Sequence, residues 1–300
     1  MENVFHLPNG YYDETGKIHR KCIIKPLGGI EEELAGELSA ASTPYLITQL
    51  LVHCVSSIGD IEQVTESIAR DLLIEDRQFL LLKIRSMTFG DKVIATINCP
   101  NETCKEKIDI DFDISDIAFD YKSRPDHLHT FELSAYALET SGLPADEKTI
   151  VIRLPNGGDQ ESIVSIAEQN EAKAYSTLLH RCIRAIGGSH NPDQKLISQL
   201  SSLARREIES KLMEVSQDME LSMATGCPIC DIKFTVPFDI QDFFLGELKI
   251  SRHQLYKEVH YLAYHYHWSE KEIMSMSRNK RRQYIELLSD EIDRINDAVA

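Results

Sequence analysis

The sequence predicts an α+β fold in which two similar units, each a set of helices followed by a β-hairpin, precede a small α-helical tail. Three observations lead to this prediction. Two pairs of cysteines, Cys99 with Cys104 and Cys227 with Cys230, each lie in a turn that is followed by a strand pattern. The stretches around the two pairs resemble each other at a constant offset. Residues 251–300 carry apolar side chains at helical spacing.

The composition is that of an ordinary globular protein with an excess of acid. Of the 300 residues, 42% are hydrophobic and 27% are charged, and the formal net charge is −16. Because phosphate groups bind clusters of Lys and Arg, this charge argues against nucleic acid and against anionic membranes as partners. The first residues lack the features of a signal peptide, and the apolar runs are shorter than a membrane span. These features predict the cytoplasm of the producing cell.

The two halves of the chain share one register. Cys99 and Cys227 are separated by 227 − 99 = 128 positions, and "IIKPLGG" from Ile23 lies at the same offset from "VIRLPNG" from Val151. The same offset pairs identical residues, such as Cys54 with Cys182, Gly59 with Gly187 and Arg77 with Arg205. The offset falls to 126 only at the end of these turns, because the spacing Cys-x4-Cys of the first half corresponds to Cys-x2-Cys in the second. The pattern predicts an internal duplication.

Each half is predicted to start with a short strand and a glycine turn. Two helices are expected next, which in the first half carry apolar residues over positions 45–55 and 64–73. A β-hairpin with the cysteines in its turn ends each half. The predicted segments are an N-terminal β-hairpin at 1–21, a first α/β repeat at 22–117, a connector at 118–148, a second α/β repeat at 149–245 and a C-terminal helical module at 251–300.

The four paired cysteines predict a zinc site. A Cys-Pro-x-Cys turn presents two thiolates on one side, and two such turns supply the four ligands that a structural zinc usually takes. The alternative is four buried, inert cysteines. Cys22, Cys54 and Cys182 already fit that description, whereas the paired cysteines stand in polar turns. We therefore expect a zinc-ribbon-like site, formed by Cys99, Cys104, Cys227 and Cys230, that joins the two halves and is structural, because it leaves no open position.

The C-terminal segment is predicted to be a compact helical module with an aromatic face. Ser269 and Glu272 have the spacing of a capping box at a helix start. The segment carries the only Trp of the chain and many of its Tyr residues. Aromatic side chains dominate protein interfaces, so the predicted partner-binding residues are Tyr256, Tyr261, Tyr264 and Trp268. The alternative is that these rings pack in the module's own core. We expect the module to be an appendage that can be removed without unfolding the rest.

Sequence motifs of catalysis are missing from the chain. It contains no phosphate loop, no G-x-S-x-G, no H-E-x-x-H and no G-x-G-x-x-G. A non-enzymatic binding protein is therefore expected. Two functions of other classes stay open: a zinc-ribbon regulator that binds nucleic acid, and a cell-wall hydrolase.

The strand, the L-P-x-G turn, the helices and the C-P-x-C turns together are similar to the T-even phage baseplate protein family, over roughly residues 1–245. This family is linked to tail-hub assembly in contractile phage tails and phage-tail-like injection systems. "LYKEVHYLAYHYHWSEKEIMSMSRNKRRQYIELL" resembles a short helical module of such tail clusters. The tandem duplication with split cysteines departs from what the family is known for.

The resemblance implies a non-enzymatic baseplate or tail-hub protein that binds other baseplate, hub or tape-measure proteins and is incorporated in the tail particle. The alternative that it implies is a chaperone for the tape measure or tail that is absent from the mature particle.

Overall fold

The computed structural model of the chain describes residues 3–37, 43–117, 128–144, 147–215, 221–238 and 240–299. Helices and small antiparallel sheets alternate along them, so the predicted α+β class is confirmed. Among the described helices, none combines the length and the apolar character that crossing a membrane requires.

The first half consists of a three-stranded antiparallel sheet, four helices and a β-hairpin. Its elements are β1 (Val4–Tyr12), β2 (Ile18–Ile24), α1 (Gly29–Glu37), α2 (Thr43–Cys54), β3 (Val55–Ile58), α3 (Glu66–Asp71), α4 (Ile74–Phe89), β4 (Lys92–Asn98) and β5 (Lys107–Asp113). The sheet has the order β1-β2-β3, so β2 is both the second strand of the N-terminal hairpin and the central strand of the first half.

The structure has four helices in this half where the sequence predicted two. The chain leaves α2 at Val55 because the next residues pair with β2 as a strand, from Ile24 opposite Val55 to Cys22 opposite Ile58. A second break separates α3 from α4, where Leu72 and Leu73 adopt extended backbone angles. Helical spacing of apolar residues continued across both breaks, which is why the sequence pattern did not reveal them.

The second half repeats this arrangement. Its elements are β6 (His129–Glu132), α5 (Ala135–Ser141), β7 (Thr149–Ile152), α6 (Gly157–Ala167), α7 (Glu171–Cys182), β8 (Ile183–Ile186), β9 (Ser189–His190), α8 (Gln194–Gln199), α9 (Ser202–Val215), β10 (Leu221–Gly226) and β11 (Lys233–Phe238). The strands β6-β7-β8-β9 form one sheet. Residues 118–127 and 145–146 of the predicted connector lie outside the described residues, and its β6 and α5 join this half.

Corresponding elements of the two halves keep the offset of 128 (182 − 54 = 128). The bounds of α2, β3 and α3 become those of α7, β8 and α8 when 128 is added. The strand register agrees as well: Cys22 lies opposite Ile58 in the first sheet, and Ile150 lies opposite Ile186 in the second. After β3 and β8 the chain turns at Gly59 and Gly187, with positive φ angles of 58° and 54°.

Each half has its own apolar core. The core of the first half includes Leu50, Ile58 and Leu80. It extends to Phe244 and Leu248, which lie in the long helix that begins at Ile240, after the second half. The core of the second half is smaller and is built around Ile150, Leu179 and Ile186. The two cores are separate clusters, so the junction between the halves depends on other contacts.

In each half, a buried carboxylate in the first turn of a helix, α1 or α6, accepts a hydrogen bond from the backbone of the loop before that helix. In the second half, Asp159 is fully buried and accepts hydrogen bonds from the backbone N–H of Asn156, from Arg153 at 2.8 Å and from Arg181 at 2.6 Å. In the first half, Glu31 takes the same place, with the N–H of Gly28 at 2.7 Å, Lys25 at 3.7 Å and His53 at 3.4 Å. These two buried carboxylates and their partners were not predicted from the sequence, although the offset of 128 relates every residue of the first set to one of the second.

The C-terminal module consists of α10 (Ile240–Tyr266), α11 (Glu270–Met274) and α12 (Arg278–Val299). The predicted capping box at Ser269 and Glu272 is confirmed, since both of its hydrogen bonds are present. A small core of Leu255, Leu262 and Ile273 holds the three helices together, and Trp268 packs against it.

A buried ion-pair network joins the C-terminal module to the first half, and the expectation that the module can be removed without unfolding the rest stays a prediction. The guanidinium of Arg281, in α12, is completely buried and donates to Glu32 of α1 at 2.6 Å, to Glu258 of α10 at 3.2 Å and to the carbonyl of Met276 at 2.8 Å. A charge that has left water needs such partners, because its desolvation costs several kcal/mol. The module is therefore fixed to the first half through α1.

We expect Arg281→Met to destabilise the protein by about 3–5 kcal/mol, because Glu32 and Glu258 would keep buried charges without their partner. The measurement is urea unfolding followed by circular dichroism. Arg282→Met is the matched control, since Arg282 is exposed, and its unfolding midpoint should stay close to that of the parent protein. Equal midpoints for the two variants would contradict the structural role of Arg281.

Asp159→Asn should lower the free energy of unfolding by about 3 kcal/mol at neutral pH, because two arginines lose their charged acceptor. Burial by itself would raise the pKa of Asp159, but the hydrogen bonds from Arg153 and Arg181 hold the pKa below its usual range. A lowered carboxyl pKa gives stability that is present above about pH 4 and is lost as the pH falls through the folded value. The difference from the parent should therefore shrink in acid, which urea unfolding at several pH values will measure. The exposed Glu168→Gln is the control.

Candidate metal centre

Two β-hairpins bring the four paired cysteines together. Cys99 follows β4, and Cys104 lies in the turn before β5. Cys227 follows β10, and Cys230 lies in the turn before β11. The four sulfur atoms all lie within 4.8 Å of one another. The structure therefore gathers, in one cluster, the residues that the sequence predicted to act together.

The two turns have the same backbone geometry. The N–H of Cys99 donates to the carbonyl of Glu106 at 2.8 Å, and the N–H of Cys227 donates to that of Ile232 at 2.9 Å. The residue after the second cysteine is left-handed in both, with φ of 50° at Lys105 and 57° at Asp231. This reversal keeps the two sulfurs of each turn on the same side, toward the other hairpin.

The distances between sulfur atoms suit a tetrahedral metal. The Sγ atoms of Cys99 and Cys230 are 3.6 Å apart, and those of Cys104 and Cys227 are 3.8 Å apart. A disulfide bond needs about 2.05 Å, so these pairs are not bonded. Four sulfurs at about 2.3 Å from a central zinc lie about 3.8 Å from each other. Two of the six Sγ–Sγ distances thus match those of an S4 site, and none of the six exceeds 4.8 Å.

The electrostatic environment favours the thiolate form at Cys227 and the protonated thiol at Cys99. Burial raises the pKa of the Cys99 thiol to about 12, against a hydrogen bond from the N–H of Asn101. For Cys227 burial acts in the same direction, but the N–H groups of Ile229 and Cys230 and the neighbouring thiols outweigh it and lower the pKa to about 7. Metal binding to such a cluster would displace the remaining thiol protons.

The cluster lies in a small apolar shell that both hairpins form. Cys99 and Cys227 are buried, and Cys104 and Cys230 are half-buried. Ile108 of β5 is buried beside them, and Ile97 and Phe234 pack against the group. Four sulfur ligands fill a tetrahedral site, so the arrangement suits a structural metal with no position for a reacting water.

The other three cysteines have a different setting. Cys22, Cys54 and Cys182 are completely buried in the cores of the two halves. Burial raises the pKa of Cys22 and of Cys182 to about 12. Thiols of this kind stay protonated and unreactive, as the sequence predicted for these three.

The predicted partner-binding residues of the C-terminal module have unlike surroundings. Tyr264 is the most exposed, at 69%, whereas Tyr256 donates a hydrogen bond to Glu33 of α1 at 2.6 Å. Tyr261 is half-buried and contacts a histidine ring. The Trp268 ring is half-buried and packs in the core of the module. Trp268 therefore packs in the module's own core, which was the alternative to partner binding, whereas Tyr264 is a surface residue.

Comparison with known proteins gives two family matches that divide the chain. The model of the family described as T4 bacteriophage base plate protein matches residues 31–245. The model of a family of unknown function (DUF6760) matches residues 248–300. No curated protein and no solved structure gives a significant match. The first match begins within α1, after β1 and β2, and includes the rest of the first half, the second half and all four clustered cysteines; the second covers most of the C-terminal module.

We expect the protein to contain one metal ion per chain when it is purified without a metal-affinity tag, and Cys227→Ser to lose that ion. Three thiolates hold a metal less tightly than four. Elemental analysis by mass spectrometry measures the content. Cys22→Ser, a buried cysteine outside the cluster, is the control and should keep the metal. A stable, metal-free parent protein would contradict the assignment.

Proposed function

This chain belongs to the T4 bacteriophage base plate protein family, and from that membership we propose that it is a non-enzymatic structural protein of a contractile phage tail or a phage-tail-like injection system, built into the baseplate near the tail hub. It acts by binding neighbouring proteins. The observation that carries the proposal is the family match over residues 31–245, which includes the second half and the first half from α1 onward.

We propose zinc as the metal of the four-cysteine site. Four thiolates in a closed tetrahedron are the usual ligand set of structural zinc, and the Sγ–Sγ distances of 3.6 Å and 3.8 Å suit it. Zinc would connect one hairpin of each half and contribute on the order of 10 kcal/mol of folding free energy. Its role would be to fix the relative position of the halves, which is what a component of a large assembly needs.

We also propose that the two halves arose by internal duplication. The support is the shared register: the helix and strand bounds, the strand pairing and the buried carboxylates all follow the offset of 128. Duplication gives a single chain two copies of one interaction module, which suits a protein whose work is to hold several neighbours.

A contact with a partner through the C-terminal module remains part of the proposal. Tyr264 supports it best, because it is largely exposed, and Tyr256 and Tyr261 lie on the same helix. Tyrosines contribute much contact area at low entropy cost. Trp268 would act indirectly, through the core that positions α10.

Quantitative mass spectrometry of purified intact particles tests the proposed role. We expect peptides of this chain at a fixed stoichiometry with other baseplate proteins. If the particles lack the chain while deletion of its gene prevents their assembly, the protein is an assembly chaperone and the structural role is wrong. The rival classes have their own assays: the net charge of −16 predicts no salt-sensitive gel shift with DNA, and the closed site predicts no cell-wall hydrolysis.

A further inference from the structure

The starts of α1 and α6 are docked against other parts of the molecule in the same way. The residue before each helix forms an isolated antiparallel bridge, Gly28 with Ser277 and Asn156 with Leu73. Around the second bridge, the N–H of Gly157 donates to the carbonyl of Leu72 at 3.2 Å. We call these helix starts, residues 28–33 and 156–161, the docking segments.

The surfaces that receive the docking segments are also alike. One contains α3 and α4 of the first half, and the other contains α11 and α12 of the C-terminal module. Their short helices begin after hydrogen-bonding caps, Thr65 and Ser269. The bridging residues Leu73 and Ser277 and the buried arginines Arg77 and Arg281 keep one spacing: 277 − 73 = 204 and 281 − 77 = 204. We call these surfaces the first groove and the module groove.

A fully buried arginine forms the floor of each groove. Arg77 donates to the carbonyls of Ala69 at 2.5 Å and Pro44 at 2.9 Å, and Arg281 donates to that of Met276 at 2.8 Å. The first helical residue of the docking segment is Gly in both cases. A Cβ on Gly157 would lie 2.2 Å from the Arg77 guanidinium, and one on Gly29 would lie 2.8 Å from the sulfur of Met274. Only glycine allows so close an approach.

A glutamate at the fifth helical position completes each contact. Glu161 accepts a hydrogen bond from Arg70 at 2.8 Å and another from Thr48. Glu33, which corresponds to it at the offset of 128, accepts from Tyr256 at 2.6 Å. The docking segments therefore share glycine at the first position, a carboxylate at the third and glutamate at the fifth.

The second half carries a third surface of the same kind. Asp193 caps α8 as Thr65 caps α3, and Arg205 occupies the position of Arg77 and donates to the carbonyl of Ser198 at 3.1 Å. Its lining differs in several respects. Arg205 is half-buried, whereas Arg77 is fully buried, and Ser198 and Ser201 stand at the positions of Arg70 and Leu73. Ser201 also hydrogen-bonds Thr140 and Ser141 of α5, which therefore lies at one edge of the groove. Pro44 and Thr48 are buried in the first groove, whereas their counterparts Ala172 and Ser176 are exposed. We call this surface, formed by α7, α8 and α9, the third groove; in the described part of the chain no docking segment covers it.

We propose that the third groove binds a docking segment of another protein: a helix start with glycine at its first position and glutamate at its fifth. The occupant is a different chain, because both docking segments of this chain are already in grooves of its own. The contact is heterologous, because the groove and the docking segment are different surfaces. This inference adds the kind of partner to the proposed function. It rests on that function only where it takes the partner to be a baseplate protein.

The test uses a fluorescein-labelled synthetic peptide of residues 147–169, which contains the second docking segment, and the full-length protein. We expect fluorescence anisotropy to rise to saturation. Arg205→Glu should weaken binding about tenfold or more, because it repels the glutamate of the peptide, and Ser176→Glu should act in the same direction. A peptide with Gly157→Val should not bind. The matched control is Arg206→Glu, on the neighbouring exposed residue, with affinity within about twofold of the parent.

Circular dichroism and metal content first establish that all the variants are folded. The absence of saturable binding by the parent protein would overturn the proposal, and so would equal affinities for Arg205→Glu and Arg206→Glu. A concentration-dependent dimer of the parent alone that Arg205→Glu abolishes would identify a second copy as the occupant, and the commitment to another chain would be wrong. None of these outcomes depends on particles, so a failure here is distinct from a failure of the proposed baseplate role.

Discussion

Two buried guanidinium groups are the constraint on which the arrangement of the molecule depends. Arg77 and Arg281 have no exposed surface, and each gives its N–H groups to helix-end carbonyls and to neighbouring side chains. Because an unpaired buried charge costs several kcal/mol, these partners must all be in place at once. The partners of Arg77 all lie in the first half, where they hold its guanidinium beneath Gly157 at the start of α6. The partners of Arg281 include Glu32, so this arginine fixes how the C-terminal module meets α1.

The four-cysteine cluster joins one hairpin of each half. Among the described residues its buried members are Cys99, Ile108 and Cys227, which is too small a core to hold two hairpins by apolar burial alone. A metal in this position would connect the hairpins through its bonds to sulfur. The start of α6 in the first groove is a second contact between the two halves, independent of the cysteines.

Rigid placement suits membership of a baseplate family better than it suits catalysis. The buried ionisable groups described above, Asp159, Arg77 and Arg281, all have structural partners. The metal site has no position for substrate. The proposed binding surfaces are the exposed Tyr264 on α10 and the third groove of the second half. Under the proposed function, these surfaces would hold neighbouring proteins at defined angles.

The sequence by itself determined the features that depend on nearby residues or on repetition. The register of 128, the α+β class, the capping box at Ser269 and the pairing of Cys99 and Cys104 with Cys227 and Cys230 could all be read from spacing, because similar sequence patterns form similar local structure. Only the tertiary structure decided the rest. The breaks at Val55 and Leu72 depend on strand pairing and backbone turns that helical periodicity does not report. The attachment of the C-terminal module depends on Arg281 meeting Glu32, 249 positions earlier, and such a contact has no local signal, because burial of a charge is stable only where folding has already assembled its partners.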